Sequence, residues 1–191
     1  MKSMSITSFI TTFSFTLAIM LFAFACNEPN KKTNTKPLVG QPNIDLQTAI
    51  MTDGIDIVQR HIAAGTDINR KEAMSGSTPL ITAATFGKTA IAKALIEANA
   101  DLSIRNNDGA TALHVAAFFC RVEIVQMLMD AKADKTIKNN FGATPRESVM
   151  GSFTQMKPFY EMLQQQLSPL GLQLDLNEIE KTRPVIAMML E

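Results

Sequence analysis

The chain has 191 residues, 18 Lys plus Arg against 18 Asp plus Glu, and a formal net charge of zero. That length holds one domain or one short repeat array. A neutral chain with no basic run interleaved with aromatics has no field to gather nucleic acid or an acidic membrane surface, which argues against nucleic acid as a partner.

Residues 1–25 carry a single charge, Lys2, and end in the apolar run Leu17-Ala-Ile-Met-Leu-Phe-Ala-Phe-Ala25. A basic start, an apolar run and small residues at its end predict a secretory signal. Without that segment the balance is 17 basic to 18 acidic residues. The string Ala23-Phe24-Ala25-Cys26 resembles the lipobox of bacterial lipoproteins, in which a small residue precedes a cysteine that is acylated and becomes residue one. Ala23 stands where a leucine is usual. The resemblance implies a diacyl or triacyl anchor on Cys26. Each buried methylene contributes about 0.8 kcal/mol, so two or three chains hold firmly.

In many Gram-negative bacteria, Asn27 after the cysteine resembles the state sorted to the outer membrane, which implies the periplasmic side of that membrane as the location. Two other readings of the same residues stay open: a cut near Ala25 that frees a soluble periplasmic or secreted protein, and an uncleaved apolar anchor of spanning length. If Cys26 is acylated, Cys120 is left as a lone thiol; unacylated, the pair is enough for one disulfide.

After Cys26, residues 27–42 hold Pro29, Pro37 and Pro42 among mostly polar residues. Such a composition cannot support a core. Residues 26–42 therefore read as a lipidated cysteine and flexible tether, with a reach of at most about 55 Å.

A repeat begins at residue 43. Gly76, Gly109 and Gly142 are spaced by 33, and a threonine follows each by two residues: Thr78, Thr111 and Thr144. The pairs Ala83-Ala84 and Ala116-Ala117 recur at the same interval, as do the apolar blocks Ala94-Leu-Ile96 and Met127-Leu-Met129. Aspartates after small residues close the units at Asp67, Asp101 and Asp134. Self-similarity at this period marks a stacked array. Threonine suits a helix N-cap and proline the first turn. Paired alanines let neighbouring helices approach, and Val122, Val125, Leu128 and Met129 give the second helix an apolar stripe. No single unit buries that stripe, so units must stack.

These residues resemble the ankyrin repeat family, best over Thr111-Ala-Leu-His114-Val-Ala-Ala117 and Val122-Glu-Ile-Val-Gln-Met-Leu-Met129. The resemblance implies an all-α solenoid of helix-turn-helix units with β-hairpin-like turns. It runs over residues 43–150, with a divergent repeat and helical C-terminal cap over 151–191. Residues 44–67 align with 111–134 without a gap, and Arg60-His61 fall where Met127-Leu128 stand. Polar residues there suit an outward-facing cap, and His61 reads as solvated. One extra residue between Asp67 and Thr78 predicts a longer hairpin tip. In the C-terminal part Pro158 predicts a helix start running to Leu167, Asp175 the cap of a helix from Leu176 to about Thr182, and Pro184 a last short helix.

No motif for a metal, a cofactor, a small-molecule substrate or a catalytic residue is present. In the family His114 resembles a structural bridge between hairpin turns. Cys120 stands where glycine usually closes the inter-helix turn, aligned with Gly87; it reads as a small, partly buried residue or as a redox-active thiol. The family's concave face is lined by the hairpin tips and the ends of the first helices. Here the tips are Met74-Ser75, Asn107-Asp108 and Asn140-Phe141, and the helix ends are Met51-Thr52, Thr85-Phe86 and Phe118-Phe119. Their phenylalanines and methionines form a candidate hot-spot row for a protein partner. For Phe86 and Phe119, packing between repeats is an equal reading. The functional expectation is a non-catalytic interaction module at the bacterial envelope. The alternatives are an immunity or inhibitor protein for a toxin or hydrolase, and a redox-linked stress protein built on Cys120.

Overall fold

The structure, a computed structural model, describes residues 42–191. The export segment, Cys26 and the tether up to Gln41 lie outside the described residues.

Three helix pairs follow one another: α1 (Leu46–Met51) with α2 (Ile55–Ala63), α3 (Pro79–Phe86) with α4 (Thr89–Glu97), and α5 (Ala112–Phe118) with α6 (Val122–Asp130). First helices stack on first helices and second on second. The reason is in the side chains. Ala83, Ala84, Ala116 and Ala117 are fully buried, so the first helices meet at alanine distance. Ile91, Leu95, Ile124 and Leu128 fill the layer beneath them.

Each first helix is started by its own side chains. Asp45 accepts from Thr48 N at 3.0 Å and Thr78 from Ile81 N at 3.3 Å. Thr111 and His114 form a reciprocal capping box. Between the paired helices the chain passes through the left-handed region at Asp53, Gly87 and Cys120, with φ of 61°, 66° and 53°. The glycine expected in that turn is thus a conformational demand that Cys120 meets with strain.

The turns that join units are tight and carry no strand among the described residues. The expected β-hairpin character reduces to a few closing backbone bonds per tip, for example Asn106 N to Ala110 O and Gly109 N to Asn106 O, both at 2.9 Å. The first tip closes instead from Glu72 N to Ser77 O, which absorbs the extra residue.

The C-terminal part departs from expectation in its pairing. α7 (Glu147–Met150) stacks on α5 as a fourth first helix. Its partner is α9 (Leu176–Met189), which packs on α7 and α6. The fourth unit is therefore a repeat split by residues 151–175, which form α8 (Phe153–Leu167) and a short 3-10 turn. Pro158 and Pro184 lie inside helices rather than opening them. Both prolines, and Thr154 and Glu180 four residues before them, are exposed, on the side of each helix where a carbonyl without an amide partner costs least.

His61 corrects a second expectation. It is only 6% exposed, because it occupies the core position held by Leu128 in the third unit. Its ring is satisfied by Thr66 Oγ1 at 3.1 Å and Ile44 O at 2.8 Å, which ties the entering chain to α2.

Candidate functional site

The aspartates that close each unit begin the construction of the tips. Asp67, Asp101 and Asp134 each accept from the amide two residues on, at 3.0, 2.8 and 2.8 Å. Asn106 and Asn139 then fold the tip over their own side chains. Asn106 Oδ1 accepts from Asp108 N and Ala110 N, and Asn139 Oδ1 from Phe141 N and Ala143 N. In the first tip Glu72 does the same for Met74 N, Ser75 N and the Ser75 hydroxyl.

The tips are joined in register. Asn107 N donates to Ser75 O and Asn140 N to Asp108 O, both at 2.9 Å. Asn107 Nδ2 donates to Met74 O at 2.8 Å, and Asn140 Nδ2 to Asn107 O at 2.9 Å. The glycines are required here because a Cβ at Gly76 or Gly109 would collide with Oδ1 of Asn107 or Asn140. Arg105 adds a strut, donating through Nε to Gly109 O at 2.8 Å and through Nη2 to Lys138 O at 2.9 Å.

His114 ties the same layer to the helices. Thr111 N donates to Nδ1 at 3.2 Å, which leaves Nε2 as the donor to Ala143 O at 3.1 Å. Burial holds its pKa below the ordinary value. This is the bridge the sequence resemblance implies.

The predicted contact residues separate into two groups. Met74 is 51% exposed, Asn107 and Asn140 are exposed, and Ser75, Asp108 and Phe141 are half-buried, all on the laddered tips. The asparagine amides are spent on the ladder, so these two residues position the row. Thr85 and Phe86 are half-buried, and the Thr85 hydroxyl is turned back to Ile81 O at 3.0 Å.

Phe118 is half-buried and Phe119 buried, so packing within the chain, the second reading given for Phe119, describes both. Phe119 is 7% exposed and sits edge-on to Phe118. Phe118 is stacked on Tyr160 of α8 with ring centroids 4.7 Å apart. The chain itself covers that end of α5.

Sequence reasoning missed the residues that hold this cover. Tyr160 OH donates to Phe118 O at 2.7 Å. Arg183, 3% exposed, donates to Tyr160 OH and to Gly151 O, each at 2.9 Å. Arg121 reaches from the third unit to Thr85 O at 3.3 Å across Gly87. Tyr160 is the one tyrosine of the chain, and that was the available signal.

Cys120 lies under α9, with Sγ 3.7 Å from Ile179 O, and burial pushes its thiol up to about 11. A half-buried thiol held mostly protonated has little of the thiolate character that redox chemistry needs. Among the described residues no group of three His, Cys, Asp or Glu is placed to hold a metal ion. No helix among them is long and apolar enough to cross a membrane.

The comparisons agree with this geometry. No curated protein matches the chain. Residues 46–139 match the family described as Ankyrin repeats (3 copies), which spans the first three helix pairs and the ladder of tips between them. Such repeats typically serve as non-catalytic interaction modules. Residues 46–139 thus carry ankyrin repeats, a scaffold that suggests a protein–protein interaction module.

Proposed function

We propose that the protein is a non-catalytic interaction module that binds a protein partner through its tip row, held at the bacterial envelope by an acylated Cys26. The ladder from Met74 through Asn107 to Asn140 carries the first half of this reading. A surface whose backbone is fixed before binding loses little entropy on binding. An array of this size offers about 800 Å² on its side of a standard interface. The second half rests on Ala23-Phe24-Ala25-Cys26 and the polar, proline-containing stretch after it. In a cell with two membranes, Asn27 favours the periplasmic side of the outer membrane.

The test is crosslinking and affinity purification of the tagged protein from native membranes, beside Cys26→Ser. The reading expects one dominant protein partner with the wild type, and transfer of the variant to the soluble fraction. No specific partner, with wild type and variant both soluble, would overturn it.

A further inference from the structure

Ser75, Asp108 and Phe141 occupy one row, each directly before the glycine of its tip. The polar atoms of Ser75 are satisfied by Glu72. Asp108 is different. Its amide and carbonyl are used within the ladder, while its carboxylate is half-buried and receives no donor from the described residues. Burial is the one influence on its pKa and raises it from the ordinary aspartate value. The nearest guanidinium in sequence, that of Arg105, is turned to Gly109 O, Lys138 O and Asn140 Oδ1. A partly desolvated charge without a counter-ion is costly, and a cation that arrives with a ligand removes the cost.

We propose that Asp108 is the specificity-determining residue of the tip row, and that the partner is a protein segment presenting a lysine or arginine beside an apolar residue. The charged head meets the Asp108 carboxylate. The aliphatic stem lies along the row toward Phe141, whose ring adds attraction to a cation. A partner with an acidic residue at this place is repelled. This inference rests on the tip row being the binding face.

The probe is a phage-displayed library of random dodecapeptides, selected in parallel on the full chain and on Asp108→Asn. Asn keeps the shape and removes the charge. Circular dichroism of both proteins verifies that the helices are kept. Peptides selected on the wild type should be enriched in Arg or Lys next to an apolar residue, and the enrichment should vanish on Asp108→Asn. A synthesised binder should lose roughly tenfold or more in affinity for that variant. Equal affinity for both proteins, or no basic enrichment, would overturn the proposal. Phe141→Ser separates the two levels of the claim. If it weakens binding and Asp108→Asn does not, the row binds but the cation assignment fails. If neither changes binding, the tip row itself is not the face.

Discussion

The side-chain amide of Asn107 donates to the carbonyl of Met74 at 2.8 Å, across 33 residues of chain. One unit later Asn140 repeats the bond to Asn107 O at 2.9 Å. The repeat therefore aligns its tips by side chain as well as by helix packing.

Asn107→Ala removes one rung and costs about 1 kcal/mol. Gly109→Ala costs more. It strains a backbone at φ 71° and drives a methyl group into Asn140. Urea unfolding followed by circular dichroism checks both, with the order of the two variants as the informative result.

Tyr160→Phe deletes one hydroxyl that serves two buried groups. Phe118 O loses its donor and Arg183 an acceptor. The expected cost is about 1–3 kcal/mol. Limited proteolysis should then cut within residues 151–175 faster than in the wild type.

Much of this was legible in the residues, for a physical reason. Gly76, Gly109 and Gly142 recur because each tip needs the same positive φ, and paired alanines recur because each layer needs the same spacing. Period ends where the chain stops repeating. The split of the fourth unit was hidden because residues 151–175 push α9 out of phase with α6. Pro158 and Pro184 point to helix starts, yet both lie at exposed positions within helices. His61 was misread from its chemistry, although its alignment with Leu128 already placed it in the core. For the site, spacing located the tips but could not reveal that Phe118 packs on Tyr160 of a helix from beyond the repeat.

His114 gives the fold a pH dependence. Its folded pKa lies below the ordinary value of about 6.5, so the unfolded chain binds the proton first. Stability is then full above about 6.5 and falls as pH drops from there toward the lower folded value. Asp101 and Asp134, held low by Ser103 and Thr136, lose stability only at more acid pH. Urea midpoints at pH 7.5 and 5.5 should differ in the wild type, and the difference should shrink in His114→Gln.

Cys120 should be slow to react. With its thiol pushed up to about 11, the thiolate is on the order of one part in a thousand at pH 8. Iodoacetamide labelling should be far slower in buffer than in urea. Equal rates would return the cysteine to consideration as a redox site.

The claim that the tip row meets the partner is tested most directly by site-specific photocrosslinking in cells. A photoreactive residue is placed in turn at Met74, at Phe141 and at Gln126, which is exposed on α6 away from the tips. The account predicts the same discrete protein adduct from positions 74 and 141 and none from 126. An adduct from 126 with none from the tips would contradict it.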